Sequence, residues 1–243
     1  MPEDAINLDM ETIEVSDASL KIACSAVYVR FKRKSGTYSC QLLFSRSKIV
    51  PDAMSIPRAE LLAAVLNAST GHVVYSALGA FIKNRIHLTD SMVVLSWINN
   101  ATSDLNMWVR NRVIEINRLT NRLNWYHIAT EFMIADLATR KGVKISDISE
   151  DSIWVNNHEW AKYEQEKFPI TSIRQVKLSK NESDQYKGEL AIKSEIHDEE
   201  WISKHLAVMY PVQCYPIIGP TLNEIGERYL FSEYFIDPNK FRF

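Results

Sequence analysis

The sequence predicts an α/β layered domain built on a mixed sheet. Stretches with the β-branched and aromatic content of strands alternate with stretches of helical period over the first 140 residues. They run as a hairpin with a third strand, helix, strand, helix, helix, strand, helix, an order that a layered domain connects without crossings. A composition of 46% hydrophobic and 24% charged residues is ordinary globular usage and excludes wholesale disorder.

Each element has its own signal. Cys24–Arg33 (CSAVYVRFKR) and Tyr38–Ser45 (YSCQLLFS) read as two strands joined at a Ser-Gly turn, with Lys32, Arg33 and Lys34 at the hairpin tip. Glu11–Ser16 starts the first of these strands or lies just ahead of it. Ile56–Leu66 (IPRAELLAAVL) changes to Ala, Leu and Glu, with Pro57 in the first turn where its missing N–H costs nothing. This predicts a helix running to about residue 83. Arg85–Thr89 (RIHLT) is a short strand and Ser91–Asn99 a helix after it. Over Trp108–Asn121, apolar residues at 109, 113, 116 and 119 predict another helix, with Arg110, Arg112, Arg118 and Arg122 on or near its other face. Leu123–Ile128 (LNWYHI) is a strand, and Ile134–Thr139 opens a further helix. Trp97, Trp108 and Trp125 are expected in the core, and His127 is expected to be a half-buried strand histidine.

This order divides the chain into an acidic N-terminal segment (1–12), a domain (13–169), a polar linker (170–200) and a C-terminal extension (201–243) where aromatic residues return between prolines. No run approaches 18 apolar residues and the N-terminus lacks an apolar stretch, so neither a transmembrane helix nor a secretory leader is expected. Cys24, Cys40 and Cys214 form no CxxC pair, which argues against a disulfide scaffold or zinc ribbon and for a reducing compartment. Net charge is −2, so no global basic field advertises nucleic acid. Residues 17–170, however, hold 19 basic and 14 acidic side chains. Chemistry on a polyanion would therefore have to sit in the middle of the chain.

Four acids stand where such chemistry could occur: Asp17 beside the first strand, Glu60 one turn into the Ala/Leu helix, Asp90 between a strand and a helix, and Asp136 at a helix start. Strand C-terminal ends and helix starts gather at one edge of an open α/β sheet, where ligands bind. Clustered carboxylates raise one another's pKa unless cations offset the repulsion. Two Mg²⁺ ions roughly 4 Å apart would do so and could act on both sides of a phosphodiester. Taken singly, Asp90 reads as well as a helix N-cap, Asp17 as a turn residue and Asp136 as a first-turn acid.

The local words go further. SDAS, SIPRAELLAAVL, TDSMVVLSWI and IADLATR, in this order, resemble the ribonuclease H domain of Bel/Pao-type LTR retrotransposon polyproteins. NRVIEINRLTNRLNWYHI continues the likeness over roughly residues 13–169, and DSIWVNNHEWAK is similar to the Trp-rich stretch that follows the domain in that family. The resemblance implies a ribonuclease H-like fold, a five-stranded mixed sheet flanked by helices. It implies that Asp17, Glu60, Asp90 and Asp136 are the catalytic and metal-binding acids, holding two Mg²⁺ (or Mn²⁺) and cleaving the RNA strand of RNA–DNA hybrids. It also implies reverse transcriptase and integrase regions as polyprotein neighbours, the extension leading toward the latter, no membrane partner, and an intracellular setting, either a cytoplasmic virus-like particle or the nucleus. The loop ATEFMIAD departs from the family's PGKDNPAD-type loop before the last acid. A domesticated, inactive domain that binds nucleic acid or protein is therefore the alternative. For substrate contacts, the expected residues are Ser19, Arg46, Lys48, Arg58 and Ser91 around the acids, with Arg110 and Arg112 tracking the DNA strand of the hybrid.

Overall fold

The computed structural model describes residues 5–191. Three antiparallel strands open the chain: β1 (Ala5–Ala18), β2 (Ile22–Arg33) and β3 (Tyr38–Ile49). They are followed by α1 (Ile56–Leu78), β4 (Ile82–Thr89), α2 (Met92–Asn99), α3 (Met107–Leu119) and β5 (Trp125–Ile128). Two single-turn helices, α4 (Asp136–Thr139) and α5 (Ile153–Asn156), then lead to β6 (Ile170–Ser172) and α6 (Lys180–Ala191). The sheet order is β3-β2-β1-β4-β5-β6. β4 lies parallel to β1 and to β5, and β6 antiparallel to β5. This is the mixed α/β sheet flanked by helices that the sequence predicts, widened by a sixth strand.

The hairpin turns where expected. Gly36 has φ +86°, a conformation that side chains with a Cβ rarely adopt, and Arg33 N–H donates to the Thr37 carbonyl across the turn at 2.8 Å.

Both faces of the central strands are buried. On one face Ile13, Val15, Ala26, Tyr28, Ile86 and Leu88 lie under residues 133–168, including Trp154 and Phe168. On the other, α1, α2 and α3 pack with Trp97, Trp108 and Trp125, all within the core at 1% exposure or less. α1 has the length and a mean hydropathy (1.4 over 18 residues) that would also suit a bilayer. Ala59, Leu61, Ala63, Ala64 and Ala68 are instead buried in the core it shares with α2 and α3.

That second face also carries a buried polar knot. Glu14 is 1% exposed and receives Arg85 on both oxygens (2.8 and 3.0 Å), Thr12 Oγ1 at 2.9 Å and His87 Nδ1 at 3.1 Å. Burial alone pushes this carboxyl up. Attraction from His87 and Arg85, with their hydrogen bonds, outweighs it and brings it to about 2.

Several boundaries move. β1 reaches back to Ala5, so residues 5–12 belong to the sheet rather than to a separate acidic segment. α1 ends at Leu78, capped at Gly79, and Phe81 N–H closes a turn onto the Leu78 carbonyl before β4 begins. Residues 170–191, expected as linker, supply β6 and α6. The segment is polar because it touches the core through few residues, among them Ile173, Tyr186 and Leu190. The expected extension at 201–243 lies outside the described residues.

Candidate active site

The parallel pairing of β1 with β4 brings two acids to the same edge. Val15 and Leu88 are register partners, and two residues further along their chains come Asp17 and Asp90. α1 starts at this edge and presents Glu60 one turn in, while α4 begins with Asp136. The four sequence-predicted acids thus lie within electrostatic reach of one another: Asp17 acts on Glu60, Asp90 acts on both, and Asp136 acts on Asp17 and Asp90.

Each of three acids is held by a hydroxyl. Ser91 Oγ donates to Glu60 Oε2 at 2.6 Å while accepting from Val94 N–H as the α2 cap. Thr130 Oγ1 donates to Asp90 Oδ2 at 2.9 Å. Thr139 Oγ1 makes a short hydrogen bond to Asp17 Oδ2, which ties α4 to the end of β1. Asp136 pairs with Arg140 one turn on, at 3.3 Å. Thr130 and Thr139 were not among the expected site residues. Thr139 was findable, since it sits three residues after Asp136 in the same motif. Thr130 reaches Asp90 only through the folded loop.

The electrostatics are those of crowded carboxylates. Burial pushes Asp17 up to about 6, with Asp90 and Asp136 adding repulsion and the Thr139 hydrogen bond offsetting part of it. Burial raises Glu60 to about 7, again with repulsion from Asp90 and Asp17 and relief from Ser91. Asp90 is raised by burial and by Asp136, against the hydrogen bond from Thr130 and attraction from His127. His127, half-buried as expected, is on β5 directly across from Thr89 and so beside Asp90. Among the described residues no three His, Cys, Asp or Glu side chains close into a cage around one point. The donors at this edge are all oxygen, and they crowd negative charge, which suits a hard divalent cation that keeps water and substrate in its shell.

The expected substrate contacts divide. Ser91 belongs to the site. Ser19 caps the β1–β2 turn, accepting from Lys21 and Ile22 N–H at 3.2 Å. Arg46 and Lys48 are half-buried on β3, and Lys48 feels the positive charge of Arg112 and Arg46. Arg112 is buried against the Trp108 ring at 3.6 Å and donates to the Trp108 carbonyl. Arg110 clamps the α2–α3 connection through the carbonyls of Thr102, Ser103 and Leu105 at 2.9–3.0 Å. Arg58 is buried and paired with Glu189 of α6 at 2.9 Å. Arg58 and Arg110 are therefore engaged inside the fold, by partners that a linear reading does not reveal.

A three-stranded antiparallel unit extended in parallel by β4 and β5, with acids gathered at the ends of β1 and β4 and the starts of α1 and α4, defines a ribonuclease H-like domain. Residues 3–91, less than half of the chain, match the family model of the Pao retrotransposon-like RNaseH-like domain, and this segment is similar to the ribonuclease H-like domain of Bel/Pao elements. The matched segment holds Asp17, Glu60 and Asp90 and stops before Asp136. No curated protein and no solved structure matches the chain.

Proposed function

We propose that this domain is a metal-dependent endoribonuclease that cleaves the RNA strand of RNA–DNA hybrids. The observation that carries the reading is the gathering of Asp17, Glu60, Asp90 and Asp136 at one sheet edge, with Asp17 and Glu60 pushed up to about 6 and 7. Carboxyls so placed cost stability on their own, and divalent cations offset that cost. Bound there, two Mg²⁺ or Mn²⁺ ions supply Lewis acidity on the attacking and leaving sides of the scissile phosphodiester. The chain's residues do the rest. Asp17, Glu60 and Asp90, raised by their burial, release protons to bind, Asp136 adds a fourth carboxyl group at the same edge, and Ser91, Thr130 and Thr139 keep Glu60, Asp90 and Asp17 oriented. Half-buried Arg46 and Lys48, with the charge of buried Arg112 beneath them and Glu115 in partial opposition, bias the adjoining surface toward a polyanion. In a retrotransposon polyprotein, reverse transcriptase and integrase regions would be the covalent partners.

The test is cleavage of an RNA–DNA hybrid with and without Mg²⁺. Cleavage in the RNA strand, leaving a 3′-hydroxyl and a 5′-phosphate and lost in Asp17→Asn and Asp90→Asn, is the expected result. A folded, Mg²⁺-supplied protein that leaves the hybrid intact overturns it. One observation favours the second reading, binding without turnover. The segment before Asp136 is a 3₁₀ turn (Thr130–Phe132) whose threonine already engages Asp90, in place of a Pro-Gly loop.

A further inference from the structure

β5 is short, and that leaves a gap beside β4. The two strands pair only from His87 to Thr89, so among the described residues 82–86 have no strand on that side. The end of α3 and the turn into β5 lie there instead, and the space between is a cavity of about 370 Å³, in the size range of small-ligand sites. Its lining includes Tyr75 near the end of α1, Lys83 and Arg85 on β4, Arg118 at the end of α3, and Asn121 and Asn124 in the turn before β5. Three cations line it and, among the described residues, no carboxylate does.

The inner wall is fixed and the mouth is not. Arg85 is tied to Glu14, donates to the Leu119 carbonyl at 3.3 Å, and places its guanidinium 5.2 Å from the centre of the Tyr75 ring. Thr120 Oγ1 accepts from Trp125 Nε1 at 2.9 Å, which holds the turn against the start of β5. At the mouth, Arg118 is exposed and makes no ion pair among the described residues. Lys83 meets Asp9 at 3.3 Å, and both partners are at least half exposed, so the pair is weak in water and Lys83 can turn to another anion. Tyr75 is 44% exposed. Asn121 Oδ1 accepts from Leu123 N–H at 3.0 Å, which leaves its Nδ2 donors unused, and the Asn124 amide makes no hydrogen bond among the described residues.

Movable cations in front of a fixed guanidinium suit a phosphate, and an exposed aromatic face beside unused amides suits a flat heterocycle. We propose that this cavity binds a nucleoside monophosphate, with its phosphate held by Arg118 and Lys83 and its base laid against Tyr75. The site goes beyond the nuclease reading and does not depend on it. It lies toward the far ends of α1 and β4 from the acids: Tyr75 follows Glu60 by fifteen residues of one helix, roughly 22 Å.

The experiment is equilibrium dialysis of the full chain, in EDTA and low salt, against radiolabelled adenosine 5′-monophosphate, adenosine and inorganic phosphate in turn. The monophosphate is expected to bind about ten-fold or more tightly than either fragment, because it joins two weak contacts in one molecule. Arg118→Gln combined with Lys83→Gln is expected to weaken it about ten-fold or more, since two charged donors are lost from exposed positions that the fold does not need. Tyr75→Ala is expected to weaken the monophosphate about five-fold or more and to leave inorganic phosphate unchanged, whereas Tyr75→Phe keeps the wild-type affinity. Failure of the monophosphate to bind at millimolar concentration overturns the site, as does an affinity unchanged in the Arg118 and Lys83 double variant. Adenosine or inorganic phosphate binding as tightly as the monophosphate overturns the assigned ligand. No cleavage is measured, so each of these outcomes leaves the nuclease reading as it stands.

Discussion

Ser91 Oγ donates to Glu60 Oε2 at 2.6 Å and accepts from Val94 N–H at 3.3 Å, so one hydroxyl both caps α2 and holds the acid of α1. It couples the helix after β4 to the helix before it, directly at the end of the strand that carries Asp90. Ser91→Ala removes both bonds. Loss of an N-cap costs about 1 kcal/mol of stability. Glu60 also loses the interaction that opposes its burial, so its carboxyl moves further up. A nuclease built on this site is expected to show an activity profile displaced to higher pH in Ser91→Ala, with thermal stability reduced by a few degrees. Ser91→Thr, which keeps the hydroxyl, is expected to retain the wild-type profile. Equal pH profiles for wild type and Ser91→Ala would show that Ser91 is a cap and nothing more.

The raised acids make a second, thermodynamic prediction. Asp17 and Glu60 sit near 6 and 7 in the folded chain, against about 4 in an unfolded one. Between about pH 4 and 7 the native state therefore binds more protons than the unfolded state, and stability falls as pH rises through that window. Glu14 acts in the opposite sense and in a different window. Its carboxyl lies at about 2, so its contribution is present above the unfolded value near 4 and lost as pH falls toward 2. Metal-free protein is expected to be less stable to urea at pH 8 than at pH 5. Glu60→Gln is expected to be about 1–3 kcal/mol more stable than wild type at pH 8. Millimolar Mg²⁺ is expected to narrow the difference between the two pH values for wild type and much less for Glu60→Gln. Stability that is flat or rises from pH 5 to 8 without metal would mean that burial and mutual repulsion do not raise these two carboxyls.

What the sequence revealed here depended on how far away each residue's partner lies. Asp17, Asp90 and Asp136 were legible because each occupies a strand end or a helix start, and the parallel sheet brings such positions to one edge. Glu60 was legible as a charge among Ala and Leu. The acidic stretch at the N-terminus was misread for the opposite reason. Two of its charges are matched by partners distant in the chain: Glu11 with Arg30 on β2 at 2.7 Å and Asp9 with Lys83 on β4 at 3.3 Å. Once paired across strands, those acids belong to a sheet, although in the linear chain they look like a solvated tail. α6 escaped for the same reason, because its anchor, Arg58, lies 131 residues before Glu189. Arg30, read only as part of a strand, is likewise 1% exposed, and it donates to the carbonyls of Ala161 and Tyr163 on the far layer.

Gly71 gives the sharpest structural prediction. It sits within α1, where glycine costs about 1 kcal/mol relative to alanine in an unconstrained helix, so a substitution to alanine would ordinarily stabilise. Here the missing side chain makes room for the Glu14 carboxylate. A Cβ at residue 71 would overlap Glu14 Oε2 and stand 2.7 Å from Arg85 Nη2. A flexible glutamate could swing aside, but this one is held on both oxygens by Arg85 and has no solvent to swing into. Displacing it breaks a buried pair, leaves Arg85 without its carboxylate and leaves His87 with Asn67 of α1 as its remaining side-chain partner. Gly71→Ala is therefore expected to destabilise the fold by about 3 kcal/mol or more despite the gain in helix propensity. Glu14→Gln combined with Gly71→Ala is not expected to recover it, because the amide fills the same space. Urea denaturation of the single and double variants measures this directly. A Gly71→Ala protein as stable as wild type would mean that the Glu14–Arg85–His87 knot can move, and that α1 does not rest on it.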